Sequence, residues 1–472
     1  MEQAKNPNLM QGQTMPAAKK PQWSVVGLVI IIIAAVLVYI LAQRPTTPQY
    51  VPVISLVALT IAIIISSVTP LNIGTMALGL SLVVGYYLGG VKVKEIITGY
   101  PVNLFLMLAG VTYLFSLANV NGTLEKITKY SIKAVRGKVA LLPIVLFFLA
   151  FILASIGPGH ISIAALLAPP AMLLAQEVGI SPLLMALVVG DGAQAGAMSP
   201  IAPTGIIAKG IISKMSLPMS TDSASVILWM NMLVTHIAVA ALAYFLFGGL
   251  KLWKKKDIGQ SETLKNIHVE PFDYKQILTL SGIAVLILGV IFAKLDVGLG
   301  AFLLGAILSL LGAADEAKAI KGMPWGTIMM VTGVTVLVQL MSKIGGMDLF
   351  ASIMARFSTP FTVTLVVGFI AALISAYAST SGVILPAFLP LAPVLLSKIG
   401  GGDLMALLSS IVVAGHLTDM SPLSTTGAVF IAGAAPETDK TKLFRGMMIW
   451  GLSMSVVGAL ISWLFFTVLR VP

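Results

Sequence analysis

Residues 190–210, GDGAQAGAMSPIAPTGIIAKG, constrain the fold more than any other stretch of the chain. They lie inside an apolar segment of membrane-spanning character, yet they hold two prolines, several glycines, an aspartate, a glutamine, a serine and a threonine. Pro200 and Pro203 remove backbone donors and the glycines weaken the helix around them, so regular helix cannot run through. Inside a bilayer, unpaired backbone is tolerated only where it is buried in protein or lines a wet cavity. The same irregularity returns over residues 412–433, VVAGHLTDMSPLSTTGAVFIAG. Met198-Ser199-Pro200 pairs with Met420-Ser421-Pro422, and Thr204-Gly205 with Thr426-Gly427, at a constant offset of 222. Two interrupted helices at matching positions of two halves point to a transporter binding site.

The composition agrees. The 472 residues are 58% hydrophobic and 10% charged, which excludes an ordinary soluble domain and marks a polytopic helical membrane protein. The net charge of +11 sits in short loops between apolar runs, a pattern that fits positive-inside orientation rather than nucleic-acid binding. With no cysteine there is no disulfide, thiolate metal site or cysteine nucleophile. The first apolar run follows Lys19-Lys20, is too long for a signal-peptide core and lacks a small-x-small cleavage site, so it reads as an uncleaved helix.

In order, the expected organisation is a disordered cytoplasmic tail (1–22), an extra transmembrane helix (23–44), a first repeat (45–250), a cytoplasmic linker (251–275) and a second repeat (276–472). Gly-Pro-Gly at 157–159 interrupts the apolar run 139–178, which predicts a re-entrant hairpin there and a broken helix over 181–213. The second half gives a hairpin at 361–398 and a broken helix at 402–434. A second shared pattern supports the repeat: Gly99-Tyr100-Pro101 with Gly110-Val111-Thr112 returns as Gly322-Met323-Pro324 with Gly333-Val334-Thr335, at an offset of 223. The fold class is therefore all-α and polytopic, with about 11 transmembrane helices in two repeats. Placing the N-terminus in the cytoplasm puts 19 Lys/Arg inside and nine outside, with Lys209 in a break, and leaves the C-terminus external. An odd number of crossings between equivalent positions makes the repeats inverted.

This layout resembles the ion-transporter superfamily, namely the divalent anion/sodium symporters and the MatC-type malonate/dicarboxylate carriers, from about residue 51 to the end. The resemblance implies opposed re-entrant hairpins, a homodimeric scaffold and elevator-type transport. It also implies hairpin tips with a Ser-Asn-Thr signature that binds substrate carboxylates and sodium. The matching tips here read Ser155-Ile-Gly-Pro-Gly-His-Ile-Ser162 and Ser375-Ala-Tyr-Ala-Ser-Thr-Ser-Gly382, both without the asparagine.

Tips and breaks bring half-helix ends to the bilayer midplane, where N–H groups suit an anion and free carbonyls suit a small cation. The candidate substrate-binding residues are Ser155, Gly157, Pro158, Gly159, His160, Ser162, Pro203, Thr204, Ser379, Thr380, Ser381, Gly382, Thr425 and Thr426. The candidate ion-binding residues are Asp191, Gln194, Ser199, Gly205, Thr418, Asp419, Ser421, Ser424 and Gly427, with sodium as the metal. Intramembrane acids usually mark an ion or proton path, so Asp191 and Asp419 are read as sodium ligands, proton carriers or structural N-caps. His160 and His416 are further proton-carrier candidates, while His236 reads as a hydrogen-bonded packing residue. Lys209 reads as snorkelling to the external interface. The histidines recur at no metal-ligand spacing, and no G-x-S-x-G or equivalent nucleophile setting appears, so an enzyme is not expected.

The expected function is sodium-coupled symport of a small organic anion, a di- or other carboxylate, in the cell membrane and without cofactor. The alternatives are proton coupling, cation/proton antiport, or a passive anion channel.

Overall fold

The computed structural model describes residues 50–134, 138–253 and 270–471, and every regular element among them is helical. The expected tail and first helix, and linker residues 254–269, lie outside the described residues.

The first half runs α1 (Tyr50–Val68), α2 (Ile73–Ser81, continuing as a π-helical turn Leu82–Leu88), α3 (Val93–Thr98), α4 (Val102–Val120) and α5 (Thr123–Ala134). It continues with α6 (Leu141–Ser155), α7 (His160–Glu177), α8 (Pro182–Gly196), α9 (Pro203–Ile212), α10 (Thr221–Leu246) and α11 (Gly249–Leu252). The second half runs α12 (Tyr274–Ala293), α13 (Val297–Leu310), α14 (Glu316–Gly322), α15 (Trp325–Lys343), α16 (Gly346–Ala355) and α17 (Val363–Ser375). A π-helical start Thr380–Ile384 leads into α18 (Leu385–Phe388), followed by α19 (Leu391–Ile399), α20 (Leu404–Thr418), α21 (Thr425–Ala432) and α22 (Lys440–Ser462). The last of these ends in a π-helical turn, Trp463–Val468.

Local chemistry sets the helix starts. Ser181 caps α8 ahead of Pro182 at its first position, and Asp403 caps α20 by accepting from the Ala406 N–H at 3.0 Å. Asp273 and Gln276 form a reciprocal capping box at the start of α12. The short helices α3, α11, α14 and α16 are not anticipated from the apolar pattern, because each is only one to three turns long.

Five helical stretches are long and apolar enough to cross a membrane: Val102–Val120, Thr221–Leu246, Trp325–Lys343, Thr380–Ile399 and Lys440–Val468. Other apolar helices are shorter, among them α6, α9, α17 and α20, because glycine and proline interrupt the runs that contain them. The chain is thus a helical membrane protein in which membrane-length helices and shorter apolar ones pack together.

Two layers of packing matter for the site. In one, α4 lies against α13, and α15 against α2. A Cβ on Gly110 would collide with the Gly298 carbonyl, and one on Gly333 with the Gly74 carbonyl. The glycine of each Gly-Val-Thr pattern therefore lets its helix touch backbone of the opposite half. In the other layer, α6 and α10 pack on α8, while α17 and α22 pack on α20. The buried side chains of Leu146, Leu167, Met172, Phe388 and Phe430 belong to the continuous apolar core.

Candidate functional site

Four of the places where the chain leaves helical geometry within this second layer matter for the site: residues 156–159, 197–202, 376–379 and 419–424. The breaks after α8 and α20 have the same backbone. Gly205 N–H donates to Ala197 O at 3.1 Å, and Gly427 N–H to Asp419 O at 3.2 Å. Ser199 N–H donates to Gly196 O and Ser421 N–H to Thr418 O. Ala202 N–H donates to Ser199 O and Ser424 N–H to Ser421 O. Every pair is related by the same offset of 222 residues. The break after α8 is shorter than the sequence pattern predicts. Gly190 and Gly192 stay inside the helix, with Gly192 backed by the Phe147 backbone of α6.

The breaks meet through side chains. Asp419 Oδ2 accepts from Gln194 Nε2 at 2.8 Å and from Thr426 Oγ1 at 3.0 Å, and lies 3.7 Å from His160 Nε2. Gln194 Nε2 also donates to Thr426 Oγ1 at 3.1 Å. On the other side of the imidazole, Thr204 Oγ1 is 3.4 Å from His160 Nδ1 and 2.9 Å from Ser381 Oγ. The His160 and His416 rings stand edge to face, 5.8 Å apart. Two hydrogen-bonded groups, Asp419–Gln194–Thr426 and His160–Thr204–Ser381, thereby meet at the 3.7 Å approach of His160 to Asp419 and form one polar chain from α7, α8, α9, α21, the π-helical start of α18 and the end of α20, with all its members buried.

Several predicted residues support this chain rather than join it. Ser155 donates to Phe151 O at 2.7 Å, and Ser379 caps the following turn by accepting from Gly382 N–H at 3.1 Å. Thr380 is bonded at 2.6 Å to Ser375, a residue outside the predicted set, and whichever hydroxyl accepts in that bond donates to Gly415 O, which lies 2.9 Å from Ser375 Oγ and 3.2 Å from Thr380 Oγ1. Thr418 donates to Ala372 O and Gly415 O, and Ser424 to Ser421 O and Asp419 O. Ser421 accepts from Leu423 N–H. Gly159 sits beside Pro203, Gly157 faces the Phe115 ring, and Gly382 faces Met330. Thr425 is half-buried at the first position of α21.

Four further residues take definite places, and one expectation, that an acid serves as an N-cap, changes. Ser162 is exposed, one turn past the junction on α7, and takes no part in it. Neither acid is an N-cap: Asp191 lies in the middle of α8 and Asp419 at the C-terminal end of α20. Lys209 pairs with Asp222 at 2.5 Å, so its ammonium is held at the protein surface by a named partner. Ser375 is the polar residue at the junction that the sequence reading left out of the site, although its place at a hairpin tip was the available signal.

The junction also holds buried polar atoms without partners among the described residues: both oxygens of Asp191, Asp419 Oδ1, Gln194 Oε1 and the Nε2 atoms of His236 and His416. Each such atom costs about 1–3 kcal/mol if left unsatisfied, more when charged, so a site built this way suits an occupant. His236, read as a packing residue, makes one contact, at 2.9 Å to Met232 O. No group of three or more His, Asp or Glu side chains able to hold a metal occurs among the described residues.

Two open cavities flank the junction. The first, about 930 Å³, is lined by Pro101 and the start of α4, by Thr335 of α15, by Lys209 of α9 and by Pro386 of α18. The second, about 820 Å³, is lined by Thr112 and the end of α4, by Pro324, and by Pro169 and Pro170 of α7. They lie towards opposite ends of α4. Each combines the Gly-x-Pro proline of one half with the Gly-Val-Thr threonine of the other.

Comparison with known proteins gives one family. Residues 49–197 match the family model of the dicarboxylate carrier protein MatC N-terminus. The match takes in α1 to α8, hence Asp191, Gln194 and the 156–159 turn, and stops at the first residue of the following break. No curated protein gives a match to the chain. This similarity to a carrier family, set beside the apolar helices, agrees with an integral membrane protein. Over residues 49–197, the chain resembles the MatC-type dicarboxylate carriers.

Proposed function

We propose that the protein is a secondary active carrier of a small dicarboxylate, bound where the four chain breaks meet. The observation that carries this reading is the convergence itself. His160, Thr204, Ser381 and Thr426 come from four separate helix starts and are joined through Asp419 and Gln194 by contacts of 2.8–3.7 Å. Helix starts leave N–H groups without internal partners and carry partial positive charge, which favours carboxylates without an arginine.

A dianion beside Asp419 would suffer repulsion unless a cation arrives with it. Sodium coupling follows from that requirement: Asp419 Oδ1 and Gln194 Oε1 are buried and unpartnered, and hard cations take oxygen ligands. Asp191, with two unpartnered oxygens, is a second candidate acceptor. A proton is the second reading, favoured by His160 Nε2 at 3.7 Å from Asp419 Oδ2. Transport in this reading moves α6–α9 and α17–α21 as one body against α2, α4, α13 and α15. The scaffold is homodimeric, the repeats are inverted across about 11 spans, and the N-terminus is cytoplasmic.

The test is uptake of labelled three- to five-carbon dicarboxylates into proteoliposomes under an imposed sodium or proton gradient. Accumulation above equilibrium under one gradient identifies the coupling ion. Equilibration under both would replace the carrier reading with a passive channel.

A further inference from the structure

We propose that the first cavity is an anion-capture vestibule for the same dicarboxylate, centred on Lys214 with Lys209 and the Gln339 amide. The inference rests on the carrier reading above but uses residues outside the junction. The two cavities are similar in size and pseudo-symmetric in backbone, yet they differ in charge. No acid lines the first, which holds Lys209 and Lys214. The second holds Glu125 and Lys129, which pair at 2.7 Å and cancel.

Within the first cavity the two ammonium groups are not equivalent. Lys209 is held by the exposed Asp222 at 2.5 Å. Lys214 has no acid partner among the described residues. With the Gln339 amide assigned the orientation that satisfies both its groups, its oxygen accepts from Lys214 Nζ at 3.0 Å and its nitrogen donates to Gly99 O at 3.2 Å. A neutral amide leaves most of the ammonium charge uncompensated, in a recess whose other walls are largely apolar. Such walls focus the field of a cation and raise the local concentration of anions. A carboxylate has both a free cation at Lys214 and a second, shareable one at Lys209, five residues away in the same segment.

The vestibule also leads to the junction. Lys209 and Thr204 lie on the one helix α9, about 7.5 Å apart along its axis. Pro386, on the wall, is five residues beyond Ser381, which bonds to Thr204. Lys209 is therefore about one and a half helical turns from the polar chain, and Lys214 stands five residues further out, just past the end of α9.

The experiment compares Lys214→Gln and Lys214→Arg with the unaltered protein in vesicles of both orientations. For substrate added on the vestibule side, Lys214→Gln raises KM about fivefold or more with kcat within about twofold, and Lys214→Arg restores KM. The difference disappears at about 0.5 M salt and is absent from the opposite side. An unchanged KM and salt response in Lys214→Gln, with the unaltered protein transporting, overturns the vestibule site alone. If the unaltered protein moves no dicarboxylate under any gradient, the carrier reading fails and the vestibule site falls with it.

Discussion

The breaks after α8 and α20 share a backbone and differ in chemistry. Their N–H to carbonyl bonds correspond one for one, and both need a glycine where a Cβ would strike the Ser199 or Ser421 carbonyl. The side chains at equivalent positions diverge: Ala197 against Asp419, Gln194 against His416, Ala202 against Ser424. The first break is thus close to a bare fold element, while the second carries the acid around which the site is wired. The shared broken-helix backbone sets the geometry, and the different side chains set the electrostatics. The two copies then join: Gln194 of the first donates to Asp419 of the second.

The largest effect should come from making the second break resemble the first. Asp419→Ala installs the residue found at position 197 and removes the acceptor of Gln194 and Thr426. Gradient-driven accumulation is expected to fall at least about 100-fold in proteoliposome uptake, because two buried donors lose their acceptor and, in the carrier reading proposed above, the coupling cation loses a ligand. Accumulation at the unaltered rate would show that the acid is incidental and the breaks functionally alike.

Next come the glycines. Gly205→Ala and Gly427→Ala each push a methyl group into a backbone carbonyl that cannot swing away. Each should destabilise the protein by about 1–3 kcal/mol, read as a lowered Tm in detergent. Similar losses for the two variants are expected from the shared backbone. A loss confined to one would mean that the breaks are only superficially related.

The smallest effect concerns the caps. Ser424 Oγ accepts from Gly427 N–H at 3.4 Å, whereas Ala202 at the matching position offers no cap. Ser424→Ala should cost about 1 kcal/mol and Ala202→Ser should recover part of that in the first break. Opposite changes in Tm would sharpen the comparison. A fall for both would show that the space at position 202 is committed to packing.

Much of this was legible in the sequence. Pro200, Pro203 and Pro422 with their neighbouring glycines announce the breaks directly, because proline and glycine act on the helix locally. Gly157-Pro158-Gly159 announces the first tip for the same reason. The extent of the breaks was not legible. Gly190 and Gly192 look like helix breakers in isolation but serve in close packing, Gly190 against Met420 and Gly192 against the α6 backbone, roles visible only once the helices are packed. Ser162 makes the converse point: only the packing of α7 decides that its hydroxyl faces the second cavity rather than the buried junction.

By itself the sequence determined that this is a helical membrane protein with two interrupted helices at a fixed offset. Those properties follow from hydropathy and from residues whose effect stays within a turn. The tertiary structure alone decided which polar groups meet. Gln194 reaches Asp419 across 225 residues, Thr204 reaches Ser381 across 177, and Lys214 finds Gln339 on another helix. Such contacts depend on how helices rotate and cross when they pack, and no short-range signal encodes that rotation.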